Sequence, residues 1–241
     1  MKWLKNILNV LLLGTLFFLL GFTAVQQEEY PCQGVSIVLE DETSSFVTKG
    51  EVLLIINSLV DSIEGLPLKE LPLYEIEKTI EQHALIKSAE AFILPNGELN
   101  VRLEQKQPVV RVQNGQGKSY YLDVEGKPFP LSRNYTERLM IANGNIMDSM
   151  DVAAVSKVAN HIHQDEFLSA QIMQLHMNEN KEIELIPRVG NHIILLGSVV
   201  EMEDKFDKLM LFYRKGVQQT GWNQYSIINL KYKDQLVCVK R

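Results

Sequence analysis

Residues 84–112 read ALIKSAEAFILPNGELNVRLEQKQPVVRV. Ala89, Ala91 and Ile93 recur at every second position, Pro95-Asn96-Gly97 interrupts them, and Leu99, Val101 and Leu103 then alternate with Asn100, Arg102 and Glu104. Successive side chains of a strand point to opposite faces, so each run predicts a half-buried strand. Asn-Gly between two such runs supplies the backbone freedom a tight turn requires and predicts a hairpin. After Pro108 the run from Val109 to Val112 opens a region of a different pattern. The stretch therefore closes one domain and begins another.

Upstream of the hairpin, Val35, Ile37 and Leu39 alternate with Ser36, Val38 and Glu40, predicting a further strand. Thr48-Lys49-Gly50-Glu51 has the spacing of a capping box, in which a hydroxyl and a carboxylate satisfy free amides at a helix start. Behind it Val52, Ile55, Ile56 and Leu59 form one apolar helical stripe, which Gly65 and Pro67 should end. Leu73, Ile76 and Ile80 stripe a second helix. The order strand, helix, helix, strand, strand predicts a two-layer α+β unit, a three-stranded sheet with both helices on one face.

Downstream, strands are expected at Val109 to Val112, Tyr120 to Val124 and Leu139 to Ala142, with turns at 114–117 and Glu125-Gly126-Lys127. A helix is predicted from about Ser149 to His163, with Val152, Val155, Ala159 and Ile162 inward. Three strands follow at 171–177, 182–187 and 192–197, and a second helix carries Met202, Phe206, Leu209, Met210 and Tyr213 with Gly216 as its stop. YSIINLKY at 225–232 and LVCV at 236–239 are the last strands. The expected architecture is a mainly antiparallel β domain with two helices.

The N-terminal region differs from both. From Ile7 to Val25 there are nineteen residues without a charge, among them Leu11, Leu12, Leu13, Leu16, Phe17, Phe18, Leu19, Leu20 and Phe22. As a helix they would span about 28 Å, close to the ~30 Å hydrocarbon core of a bilayer. Lys2 and Lys5 precede them and Glu28 and Glu29 follow, which orients residues 1–6 to the cytoplasm and the remainder across the membrane. No A-x-A cleavage pattern ends the segment, so an uncleaved anchor is expected. The 241 residues carry 24 Lys and Arg against 30 Asp and Glu. Removing the two lysines before the anchor leaves 22 against 30 beyond it, a net charge of −8. An acidic ectodomain without a basic cluster excludes nucleic acid as a main partner.

Little in the chain suggests chemistry. His161-x-His163 with Asp165 and Glu166 nearby is the one metal-like cluster, but side chains at i and i+2 do not converge on one helix face. No nucleophile elbow, Cys-His arrangement, paired-carboxylate pattern or phosphate-cradling glycine loop is present. Two cysteines, Cys32 and Cys238, do not make a disulfide scaffold. No cofactor and no small-molecule substrate are expected.

The same hairpin stretch resembles the signature of the bacterial cell-division family FtsQ, called DivIB in Gram-positive species. There a short helix leads through a strand and Gly turn to L-x-V-x-V-x-E, and x-P-x-x-R-V opens the next domain. SYYLDVEGKPFPLS at 119–132 is similar to that family's yyLD-x-x-G-x-x-x-P, and YSIINLKY to its closing Y-x-x-I-D-L-R-Y. The form is nearest to that of Bacteroidota-type bacteria. Departures are Ala84 where the family usually has Pro, and Asn229 where Asp is common.

The resemblance implies a POTRA domain (β-α-α-β-β) at 33–106 and the β domain at 107–241, behind a transmembrane helix at 7–25. It implies a non-enzymatic scaffold of the divisome in the cell inner membrane, with its C-terminal domains in the periplasm at the division septum. Its partners would be FtsL/FtsB-like coiled-coil proteins, with the septal synthase as a further candidate. In that family a partner segment adds to the last strand. By position this points to Tyr232, Asp234, Gln235, Leu236, Val237 and Val239, with Tyr225 and Lys231 at the margin. Two other classes are a POTRA-bearing component of outer-membrane protein export or assembly, and an extracytoplasmic metal-dependent hydrolase using His161 and His163. The first calls for repeated POTRA units or barrel strands, and the second for bound zinc.

Overall fold

The computed structural model describes residues 3, 6, 11–18, 30–41, 45–60 and 62–241. Two compact units are present, Met1–Gln105 and Lys106–Arg241. Of the expected anchor, residues 11–18 are helical, with Leu11, Leu12, Leu13, Leu16, Phe17 and Phe18 exposed. Ile7, Leu19, Leu20, Phe22 and Val25 lie outside the described residues. Among those described, no helix is long and apolar enough to cross a membrane.

In the first unit, β1 (Val35–Leu39), α1 (Lys49–Leu59), α2 (Leu73–Glu81), β2 (Ile86–Ile93) and β3 (Leu99–Gln105) follow in the expected order. The sheet order is β1-β3-β2, with β1 parallel and β2 antiparallel to β3. At the hairpin Gly97 has φ 85°, a left-handed conformation that favours glycine, and its amide donates to the Leu94 carbonyl at 2.9 Å. A bulge between Ile86 and Ser88 resets the alternation, so that Ile86 and Ala89 are both buried. Val52 and Ile56 of α1 and Ile76 and Ile80 of α2 pack with Leu99, Val101 and Leu103 as a core without solvent access. The capping box forms: Thr48 Oγ1 accepts from the Glu51 amide, and the Glu51 carboxylate accepts from the Thr48 amide at 2.8 Å.

One expectation fails here. Helix α1 ends at Leu59, well before Gly65, and Leu59 is 40% exposed rather than part of the inner stripe. The amides and carbonyls of 65–68 are instead engaged with Tyr30–Cys32: Cys32 N donates to Leu66 O at 2.7 Å, Gly65 N to Cys32 O at 2.9 Å and Leu68 N to Tyr30 O at 3.0 Å. Val60 already turns extended at φ −141° and ψ 124°, and residues held in that ladder cannot resume the helix.

The second unit is built on one nine-stranded sheet, ordered β12-β11-β10-β9-β8-β7-β4-β5-β6. Its strands are β4 (Val110–Asn114), β5 (Ser119–Leu122), β6 (Pro128–Pro130), β7 (Ile141–Gly144), β8 (Ile172–Met177), β9 (Ile183–Pro187), β10 (Ile193–Gly197), β11 (Tyr225–Asn229) and β12 (Val237–Lys240). Helices α3 (Ser149–Gln164) and α4 (Glu166–Gln171) join β7 to β8, and α5 (Met202–Leu211) lies between β10 and β11. Those two strand pairs are parallel, because a helical crossover returns the chain in the same direction, and β4–β7, connected through β5 and β6, is parallel as well. The other neighbours are antiparallel, so the sheet is mixed.

One sheet face carries the core. Val110, Val112, Leu175, Leu185, Ile194 and Ile228 meet Val155, Val158, Ala159 and Ile162 of α3 and Phe206 and Leu209 of α5. The turn after β5 has a packing cause. The Asp123 carboxylate accepts from the Glu125 and Lys127 amides at 3.0 and 2.8 Å, and Gly126 adopts φ 76°. A Cβ at Gly126 would stand 2.7 Å from Ser156 Oγ on α3.

The helix count and one helix stop require correction. Gly216 has φ −70° and does not end the second expected helix. The chain continues from α5 through a π-helical turn, Phe212–Gly216, into α6 (Val217–Thr220), and Gly221 at φ 78° ends it. Gly216 is needed for space instead, since a Cβ there would lie 2.7 Å from the Phe212 ring. Helix α4 and strand β6 were also not predicted, both being too short to show a period. Strand β11 ends at Asn229 instead of residue 232, where the Asn229 side chain turns to accept from the Lys231 amide at 3.0 Å.

Candidate partner-binding edge

The two edges of the large sheet differ. Strand β6 presents Pro128 and Pro130, which have no amide to donate, and such an edge resists further pairing. Strand β12 at the other edge has no proline. It pairs antiparallel with β11 through Ile227↔Val239, Ile228↔Cys238 and Asn229↔Val237, and among the described residues no strand lies on its outer side. Val237 is 38% and Val239 47% exposed, while Leu236 and Cys238 pack against the core. The strand thus shows alternating inward and outward side chains beside an unpaired ladder, the arrangement that strand addition uses.

All eight sequence-derived residues fall on the β11–β12 hairpin, with unequal availability. Tyr232 is 49% exposed, Asp234 holds a left-handed φ of 57° at the turn, and Gln235 is exposed. Lys231 is engaged, its Nζ pairing with the Glu182 carboxylate at 3.0 Å and its chain covering Gly197. Tyr225 packs edge-on to Phe212, ring centroids 5.8 Å apart. Leu236 faces inward.

A residue that sequence reasoning missed holds this hairpin in shape. Lys208 on α5 donates from Nζ to the carbonyl oxygens of Tyr232 at 2.6 Å, Leu230 at 3.3 Å and Gln235 at 3.4 Å. One ammonium with three donors thereby satisfies three turn carbonyls that no strand reaches. On the helix period Lys208 reads as solvated surface, next to the inward Leu209. Its target, 22 to 27 residues further along the chain, leaves no local signal.

Beneath the β11–β12 pair lies a buried polar contact. His192 Nε2 is 2.9 Å from the Tyr213 hydroxyl, and Trp222 stacks beside Tyr213 at 5.7 Å. Burial pushes the Tyr213 hydroxyl up to about 12, so it stays protonated. Burial also pushes the His192 imidazole down, with the Arg241 charge adding to it and a hydrogen bond to the Trp222 backbone opposing it. The unfolded chain then takes up the proton first as pH falls. Stability should be full above the ordinary histidine value of 6.5 and should decline as pH drops below it towards the depressed folded value. Melting curves by circular dichroism between pH 8 and 5 should show that decline, and His192→Gln, which keeps an acceptor for Tyr213, should flatten it. An unchanged slope would reject His192 as the source.

A model described as POTRA-like domain matches residues 30–104, and one described as FtsQ/DivIB, C-terminal related, matches residues 107–239. The latter spans more than half of the chain. The chain belongs to the FtsQ/DivIB family. Its family is one of cell-division proteins that are non-enzymatic and work through protein–protein contacts. No curated protein matches the chain.

The remaining candidates in this FtsQ/DivIB-family chain separate in the structure. The His161 ring lies against Phe206 with centroids 4.3 Å apart, whereas His163 is exposed at the end of α3. Among the described residues no group of three or more His, Cys, Asp or Glu is placed to hold a metal ion. Cys32 is buried in the first unit, donating to the Gly34 carbonyl at 3.3 Å, and Cys238 is half-buried in β12.

Proposed function

We propose that this chain is a scaffold of the division septum, anchored in the inner membrane through residues 7–25, whose ectodomain recruits FtsL/FtsB-like partners by adding a partner strand to β12. The observation that carries the reading is the unpaired outer side of β12 beside exposed Val237 and Val239. Family membership supports the division role, and the nineteen-residue uncharged segment supports the anchor. The mechanism is recognition. Main-chain hydrogen bonds along four residues give affinity, and the outward valines with Tyr232 select the partner's side chains. Lys208 preorganises the turn, so less ordering entropy opposes binding. The POTRA domain has a different edge state: Glu77 accepts from the Ala91 amide at 2.7 Å, which occupies part of β2's outer side.

Depletion in cells carrying a fluorescent fusion tests the reading. Filamentous cells and mid-cell bands of the fusion are expected. Normal septation, or uniform fluorescence with defective outer-membrane proteins, would reject it in favour of a POTRA component of outer-membrane assembly.

A further inference from the structure

The parallel strands β4, β7 and β8 all begin at one end of the large sheet. A cleft of ≈ 450 Å³ opens there, within the size range of ligand pockets, lined by Arg111, Arg138 and Arg188 and by apolar groups that include Met140 and the exposed Ile141 and Met173. At two of the three arginines the main chain is held by hydrogen bonds. The Arg111 amide donates to the Met140 carbonyl at 3.1 Å, and the Arg188 amide to the Gln171 carbonyl at 2.6 Å. Arg138 precedes Met140 on the loop entering β7.

The cleft gathers three cations around one opening. Residues 106–241 contain 17 Lys and Arg against 15 Asp and Glu, a net charge of +2. Three other cations of the unit meet acids, Lys127 with Glu125, Lys181 with Asp151 and Lys231 with Glu182. None of the three cleft guanidinium groups has an ion pair or side-chain hydrogen bond among the described residues. Glu137 is the one acid in the lining, and it pairs with none of them. Three guanidinium groups around one cleft, with a single acid that pairs with none of them, leave positive charge that a ligand carrying carboxylates or phosphates can neutralise with bidentate bonds.

The apolar lining discriminates between those anions. A bare phosphate would leave the apolar groups in water, whereas a peptide can seat aliphatic side chains on them while its carboxylates reach the rim. We propose that this cleft docks an acidic peptide segment of a protein partner, its carboxylates paired with Arg111, Arg138 and Arg188 and its aliphatic side chains on Met140, Ile141 and Met173. This site is independent of strand addition at β12.

Fluorescence polarisation tests it with the full-length chain in detergent micelles and, as probe, an amidated fluorescein-labelled hexapeptide alternating glutamate with leucine. Saturable binding is expected, weakened about tenfold or more by Arg138→Gln or by Arg188→Gln. Both arginines are exposed, so both variants should keep the wild-type circular dichroism spectrum and melting temperature. The glutamine counterpart of the peptide should not bind, and ~0.5 M NaCl should weaken the complex. Absence of saturable binding, equal binding of the glutamine peptide, or indifference to both arginine variants would overturn the proposal. Displacement of the probe by inorganic phosphate at about 1 mM would also overturn it, assigning the cleft to a phosphate group instead.

Discussion

Asp151→Ala should lower the melting temperature of the second unit by roughly 10 °C, the largest stability effect expected of any single polar substitution in the chain. The Asp151 side chain is 7% exposed and accepts from the Met147 amide at 2.8 Å, the Asp148 amide at 3.3 Å and Lys181 Nζ at 2.5 Å. It is also the reciprocal half of the capping box that starts α3, in which Asp148 accepts from the Met150 and Asp151 amides at 2.9 Å. Truncation strands two amides and one ammonium together. Breaking a buried pair costs about 3–5 kcal/mol, but Lys181 is 41% exposed and can turn to water, which argues for the lower end. With a cap loss of about 1 kcal/mol overlapping that figure, ~3 kcal/mol is expected, and a unit of this size moves about 3–4 °C per kcal/mol.

The pH dependence gives the same prediction a second readout. Burial works to raise the Asp151 carboxyl, and Lys181 with the Met147 and Asp148 amides outweighs it, so the carboxyl sits below its ordinary value of 3.8. A depressed carboxyl contributes stability that is complete above the unfolded value and is lost as pH falls through the folded one. Below about pH 4 the wild-type advantage over Asp151→Ala should therefore shrink. Thermal unfolding of both proteins between pH 7 and 2.5 measures this. A melting point within about 2 °C of wild type at pH 7 would show that the network carries no net stability.

The largest binding effect is expected at β12. Adjacent residues of a strand point their amides to opposite sides, so of Val237 and Cys238 one donates towards β11 and the other outward. A proline scan through the two positions must therefore remove one outward amide. The variant that does so should weaken capture of an FtsB-like partner by at least about 100-fold, or ~2.7 kcal/mol, because the ring deletes a ladder bond and leaves a partner carbonyl unpaired. The other proline should instead loosen the β11–β12 pair and show as lower protection in hydrogen exchange. Pull-down of the partner alongside circular dichroism separates the two. Undiminished capture by both folded variants would exclude β12 as the receiving strand.

Where a local period or turn rule governs, residue order carried the answer. The hairpin at 93–99, the capping box at Thr48 and Glu51 and the buried faces of α2 and α3 were all legible, since each needs only neighbours within a turn or two. Leu59 and Gly216 each have the right residue type for the role their spacing suggests, and backbone conformation at the one and side-chain packing at the other decide otherwise. Val60 turns extended and ends α1 before the ladder of Tyr30–Cys32 with residues 65–68, and the Phe212 ring, one turn back, occupies the space that makes Gly216 a packing glycine.

Alternation, turn residues and the uncharged N-terminal run were therefore enough to determine an α+β unit, a larger strand-rich unit and the family resemblance, because these depend on contacts close along the chain. Tertiary structure alone decided which edge of the nine-stranded sheet stays open, that Lys208 braces the turn beside it, and that Arg111, Arg138 and Arg188 meet at one end of the sheet. Those outcomes depend on strand order and on crossovers that bring together residues up to 77 positions apart, as Arg111 and Arg188 are. No local period encodes such distances.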